Sequence, residues 1–269
     1  MTLSFEPLAG HNAIESCALV IRFVTPIDAP TFEALTVQAA ALATENGLPG
    51  RQQQVMPQFV FGSGIPTNLP VGVSFQRFAT DGQIEAELKC EMQALTLTVR
   101  KYDSWSGFFD FASKVALALV PVYLGTVPAI ASVLLQYEDV FLAVEGNPPA
   151  GEVFREGTRW VTMYDRASDQ PWHSHFGVFI PQSPMRRRLV NVNVTVADQA
   201  RAPHNIVRRV ADLTVLTGDM FDVEGQPPLL VERGREAEIV GDLIKNLHEF
   251  QKTILAQVLS DDYLAAIGC

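Results

Sequence analysis

Apolar and polar positions along this chain switch repeatedly between alternation and helical spacing. Residues 17–24 form a nearly continuous apolar run, which predicts a buried strand. Pro26 and Pro30 follow, and Pro30 suits the first position of a helix. The Ala- and Leu-rich stretch 32–46 then predicts that helix, with Gly47 as its stop. Residues 55–61 are a short apolar run compatible with a strand, and 62–70, with two prolines, predict a loop. Residues 71–78 and 83–90 flank Asp81-Gly82, a dipeptide that accepts positive φ, so a hairpin is expected there. Leu95, Leu97 and Val99 alternate with Thr96 and Thr98, as in a half-buried strand. Ser104 can cap a following helix whose apolar side carries Trp105, Phe108, Phe111, Ala112, Val115 and Leu119.

The second half reads mainly as strand. Residues 132–144, 158–164, 172–180, 189–196 and 206–217 all have strand-like content. Asn191, Asn193 and Thr195 are expected to face away from Val190, Val192, Val194 and Val196, and residues 198–205, with Pro203, to close a hairpin. A closing helix over 236–259 carries Ile239, Leu243, Leu247, Phe250 and Ile254 at helical spacing. The expected fold class is therefore α+β: antiparallel sheets, a helix after the first strand, a central helix and a long C-terminal helix. Two subdomains are expected, residues 1–121 (α/β) and 122–269 (β-rich with the closing helix), which could form one intimate domain.

Composition changes this picture little. The chain has 269 residues, 48% hydrophobic and 19% charged, enough for a large core. Its three cysteines, Cys17, Cys90 and Cys269, form no CxxC pair, which fits a reduced cytoplasmic protein better than a disulfide framework. The first residues carry no basic stretch followed by an apolar one, so no signal peptide is expected. Residues 115–137 are uncharged and long enough to span a bilayer. Pro121, Gly125 and Pro128 interrupt them, which predicts a helix end, a turn and a strand buried in the core.

Charge is uneven. The formal net charge is −10, which disfavours nucleic acid and anionic membranes as partners of the whole surface. Residues 155–209 nevertheless hold nine arginines against four acidic residues. Arg186, Arg187, Arg188, Arg201, Arg208 and Arg209 are candidates for one basic patch, able to hold phosphate or carboxylate bidentately. Aromatic residues are scarce among them, so an acidic protein partner, or this chain's own acidic surface, is the expected counterpart rather than nucleic acid.

Catalytic patterns are absent from the sequence. It contains no G-x-S-x-G elbow and no glycine-rich phosphate loop. His173 and His175 share a strand face, but two ligands are too few for a closed zinc site, and Asp165 or Asp169 would have to complete it. The plain reading is a surface pair, and no metal or other cofactor is expected. Leu264-Ala265-Ala266 is similar to a protease-recognised tail, although three residues follow it; a frayed short helix is the plainer expectation.

Gln52, Gln53, Gln54, Val55 and Met56 follow the break at Gly47, Pro49 and Gly50. A glutamine, two tolerant positions and two apolar side chains is the pattern by which short peptides dock on the bacterial DNA sliding clamp. The amide bonds the pocket rim and the apolar pair fills the pocket. The alternative reading is a polar loop leading into a strand. Val55 and Met56 stand where Leu and Phe are preferred, so affinity should be modest, at about 0.8 kcal/mol per missing methylene.

The segment from Leu95 to Phe108, with Tyr102, Ser104 and Trp105, resembles the hallmark of a sporadically distributed, largely uncharacterised bacterial family. An early strand like residues 17–23 and a closing helix with Leu247-His248 followed by Phe250 extend the resemblance over most of the chain. Its motifs are structural, so it implies a fold and no catalytic residues. Within that neighbourhood the chain is most similar to SocB-like replication-inhibiting toxins of alphaproteobacteria. That resemblance implies a non-enzymatic, cytoplasmic toxin of a toxin–antitoxin pair, with the DNA polymerase sliding clamp and a cognate antitoxin as partners and a cytosolic protease as a further one. Gln52 would anchor it, with Val55 and Met56 as the apolar plug. The alternatives are a defence or accessory scaffold that binds another protein through the Arg-rich surface, and a metal-dependent enzyme using His173 and His175.

Overall fold

The computed structural model describes residues 3–59, 66–125, 129–163, 165–183, 186–201, 206–221 and 228–268. Its strands are β1 (Phe5–Pro7), β2 (Ile14–Phe23), β3 (Gly50–Phe59), β4 (Pro66–Phe78), β5 (Ile84–Glu91), β6 (Ala94–Val99), β7 (Ala129–Ala143), β8 (Trp172–Ser183), β9 (Arg186–Arg201), β10 (Ile206–Met220) and β11 (Leu229–Leu230). The helices are α1 (Ala29–Glu45), α2 (Trp105–Val115), α3 (Val120–Leu124), α4 (Glu236–Val258) and α5 (Asp261–Ala266). All eleven strands join one sheet in the order β3-β4-β5-β6-β2-β7-β10-β9-β8, with β1 and β11 also paired to β7. Every one of these pairings is antiparallel.

This corrects the α+β expectation. Strand takes 43% of the chain and helix 29%, and the fold is mainly a single sheet. Each half of the sequence supplies strands that could have closed a sheet of their own. Instead β7, 15 residues long, pairs with β2 from the first half and β10 from the second, and so welds the two sets into one.

Several local expectations match the structure. Asp28 caps α1 by accepting from Thr31 N, Pro30 lies in its first turn, and Gly47 leaves it at φ +77°. Gly82 adopts φ +84° between β4 and β5, the left-handed geometry that the Asp-Gly turn requires. Ser104 Oγ accepts from Gly107 N at the start of α2, and α4 occupies nearly the expected span. The apolar stretch 115–137 holds the expected helix end and strand, but where a turn was expected around Pro121 the chain forms the short helix α3. One helical stretch, Trp105–Leu124, is long and apolar enough to cross a membrane, and half of it is buried inside the protein.

Other expectations need correction. Residues 158–163 form no strand; Trp160 and Val161 are buried in an irregular segment, and Tyr164 lies outside the described residues. The loop expected over 62–70 is partly strand, since Pro66 to Pro70 belong to β4, while 62–65 lie outside the described residues. Of the turn expected over 198–205, residues 198–201 belong to β9 and 202–205 lie outside the described residues, although β9 and β10 pair as foreseen.

The sheet has a dry face and a wet face, the usual arrangement for antiparallel sheet. Leu19, Ile21, Leu88, Leu95, Leu97, Val133 and Leu135 point to the dry face and pack with Phe32, Leu35 and Ala39 of α1 and Val240, Ile244 and Leu247 of α4. A second cluster joins Phe5, Phe141, the four β9 valines, Leu213 and Val215 to Ile254, Val258 and Tyr263. The wet face carries polar cross-strand pairs such as Ser16–Glu138 at 2.8 Å and Gln76–Glu87 at 2.7 Å. The expected boundary at residue 121 falls within α3, and α4 contributes to both clusters.

Candidate functional site

The Gln52–Met56 segment lies in β3, at one end of the sheet path, and pairs with β4 from Gly50↔Gln76 onward. It is a strand and not the loop that its polar composition suggests. Gln52 is exposed and Val55 is 49% exposed; the side chain of Met56 lies outside the described set. Side chains alternate along a strand, so Gln52 and Val55 belong to opposite faces. The β3–β4 register shifts between Gln54 and Val55, where Gln54 faces Gly72 and Val55 faces Pro70. Beyond this bulge the ladder runs through Pro57, Pro66 and Pro70, none of which has an amide donor.

The arginines do not form one free patch. Arg186 and Arg188 both bind Asp219, Arg188 through Nε to Oδ1 at 2.9 Å and through a terminal nitrogen to Oδ2 at 3.0 Å. Arg209 pairs with Asp198 at 2.6 Å, and Arg208 with Glu6 at 2.9 Å. Arg187 is exposed over the Phe179 ring, and the Arg201 side chain lies outside the described set. The chain's own carboxylates thus occupy four of the six.

His173 and His175 are exposed on β8, at the far end of the sheet path from β3, and Nδ1 of His175 bonds the Asn193 side chain. Among the described residues no group of three His, Cys, Asp or Glu could hold a metal, so neither Asp165 nor Asp169 completes a site there. The Leu264-Ala265-Ala266 segment belongs to α5. It is tied down by Tyr263, whose hydroxyl donates to Glu152 at 2.6 Å and accepts from Phe5 N at 3.2 Å.

A different constellation comes together under α4. His248 stacks on Trp105 with ring centroids 3.9 Å apart and planes within 6°. Its Nδ1 is hydrogen-bonded to the hydroxyl of Tyr137 at 3.0 Å. Tyr102 meets the Tyr137 ring edge-on at 5.8 Å. Burial lowers the His248 pKa to about 4, so the ring is neutral at pH 7 and Nδ1 is free to accept. Tyr102, Tyr137 and His248 border a cavity of about 170 Å³ that is also lined by Ile14, Asp139, Val215, Gln251, Lys252 and Leu255; the Lys252 ammonium is 3.4 Å from the Glu249 carboxylate.

Asp139 is the unusual member. It is 2% exposed, its Oδ1 has no hydrogen-bond partner, and among the described residues no cation forms an ion pair with it. Burial, reinforced by Asp212 and Glu138, raises its pKa to about 7. Gln251 donates to the backbone oxygens of Leu135 and Val215 at 2.8 and 2.9 Å, which leaves its own Oε1 without a partner. Sequence reasoning placed Tyr102, Trp105 and His248 in structural motifs and did not single out Asp139 or Gln251. A usable signal was present: an acidic residue at an inward position of an otherwise apolar strand, and a glutamine on the apolar stripe of α4.

No protein-family model matches the chain, and a search of curated proteins finds no match.

Proposed function

We propose that the protein is a non-enzymatic toxin that occupies the peptide pocket of the DNA polymerase sliding clamp and stalls replication, restrained by a cognate antitoxin. The observation that carries this reading is the position of Gln52 and Val55: both are solvent-accessible on the outermost strand of the sheet. A segment there can be presented to a partner without disturbing either hydrophobic cluster. Gln52 is the polar anchor, and Val55 with Met56 is the apolar plug.

The strand geometry adds a requirement. Gln52 and Val55 must reach one pocket from opposite faces of β3, so the segment has to turn between them. The bulge after Gln54, followed by a proline-rich ladder that is poor in amide donors, is the place where that turn is least costly. Once seated, the toxin and polymerase exclude each other from one pocket by mass action.

The test is a titration of purified sliding clamp with the full chain, read by calorimetry, alongside Gln52→Ala and Gln53→Ala. Losing the anchor should weaken binding about tenfold, which corresponds to 1.4 kcal/mol, while Gln53→Ala leaves it unchanged. Equal affinities for the chain and Gln52→Ala, or no association at high micromolar clamp, would overturn the proposal.

A further inference from the structure

The cavity under α4 has a composition that a purely structural gap does not need. Empty cavities in protein interiors are normally apolar, and polar ones normally hold water bound by several partners. Here an apolar wall of Ile14, Val215 and Leu255 and the rings of Tyr102 and Tyr137 surround a carboxyl and an amide oxygen, while Lys252, which also lines the cavity, pairs with Glu249 at 3.4 Å and not with Asp139. The carboxyl of Asp139 and the amide of Gln251 are each almost fully buried, and each keeps an oxygen with no partner. Both unpartnered atoms are acceptors when Asp139 is ionised, so the matching ligand brings donors.

A cavity of about 170 Å³ is close to the ~150 Å³ known to admit benzene, so it suits a single ring. A positive charge on that ligand would supply the counter-ion that Asp139 lacks, and aromatic faces such as those of Tyr102 and Tyr137 attract cations. We propose that this cavity binds a small primary amine with a one-ring apolar body, its ammonium held by the Asp139 carboxylate and the Gln251 side-chain oxygen. The ring lies against Ile14, Val215 and Leu255. His248 acts as a positioning residue: it holds the Tyr137 hydroxyl through Nδ1 and is itself clamped by Trp105. The raised pKa of Asp139 agrees with a carboxyl awaiting a cation.

The site is independent of β3. Its lining comes from β2, β7, β10, α4 and Tyr102 ahead of α2, whereas the clamp proposal concerns the sheet edge.

The experiment titrates the full chain with benzylamine, toluene and benzoate at pH 8, read by NMR shifts of the Tyr102, Tyr137 and Trp105 rings and by thermal shift. Benzylamine is expected to saturate these shifts at least tenfold more tightly than toluene, with benzoate silent. Asp139→Asn should abolish that preference while the variant stays folded. Leu255→Trp, which fills the cavity without touching Asp139, should remove binding of both benzylamine and toluene. Equal affinity for benzylamine and toluene, an undiminished preference in Asp139→Asn, or no saturable shift with any of the three compounds would overturn the proposal.

Discussion

Asp139 and Asp219 lie on neighbouring strands of one sheet, β7 and β10, and both are buried on the face that α4 covers. Their environments are opposite. Asp219 is gripped by Arg186 and by both nitrogens of the Arg188 fork, and Arg188 itself packs on the Phe250 ring at 4.7 Å. Asp139 has no ion-pair partner among the described residues and an oxygen without a hydrogen bond, the Lys252 ammonium at the same cavity being paired with Glu249. A carboxylate taken out of water needs a charge partner or it shifts toward its neutral form. The first aspartate is therefore part of the scaffold, and the second is a group held ready for something from outside.

The sharpest way to break this contrast is to make Asp219 resemble Asp139. Arg188→Met leaves Arg186 as the remaining cation, and we expect a loss of about 3 kcal/mol in urea unfolding at pH 7. Changing Asp219 to leucine as well should return most of it, because no charge is then left fully buried: Arg186, whose side chain is 28% exposed, can turn to solvent. A single variant as stable as the parent would remove the distinction.

The converse change acts on Asp139. Its pKa is about 7 when folded, above the ordinary 3.8. The folded state therefore holds its proton longer than the unfolded state, and its contribution to stability falls as pH rises from about 4 to about 7. Asp139→Asn removes that penalty, so a gain of up to about 4 kcal/mol at pH 8 is expected, shrinking to nothing near pH 4. His248 works in the other direction. Its folded pKa near 4 lies below 6.5, so its contribution is complete above pH 6.5 and is lost as pH falls through about 4. The two slopes oppose each other below pH 6.5, and Asp139→Asn should expose the His248 slope alone in pH-dependent denaturation.

Smaller effects sharpen the same picture. His248→Phe keeps a ring against Trp105 but removes the acceptor for Tyr137, and a loss of about 1 kcal/mol is expected in thermal unfolding at pH 8. Gln52→Ala, on the exposed edge strand, should change stability by less than about 0.5 kcal/mol, whatever it does to clamp binding.

The chain's local structure was largely legible before its fold was known. The Asp81-Gly82 turn, the Ser104 cap, the valine alternation of β9 and the stripe of α4 are determined by neighbours within a few residues, so periodicity and turn chemistry reveal them. The segment 158–163 was misread because Trp160 and Val161 are apolar for burial in an irregular segment, and composition alone cannot distinguish that from a strand. Gln52 to Gln54 read as a loop because polar residues are ordinary on an edge strand that faces water. The basic cluster read as a patch because its partners Asp198, Asp219 and Glu6 are distant in sequence or assigned to other segments.

The sequence by itself determined where strands and helices form, which faces are apolar, and that no standard catalytic motif is present. Tertiary structure alone decided that the strands would merge into one sheet, that four arginines would be consumed by internal carboxylates, and that Tyr102, Tyr137, Asp139, His248 and Gln251 would share one cavity. The physical reason is range. Capping, turns and amphipathic spacing act within one or two turns of chain. Pairing of charges and the solvation of a buried carboxyl depend on which residues, from 11 to 202 positions apart among these ion pairs, the packed sheet and α4 bring together.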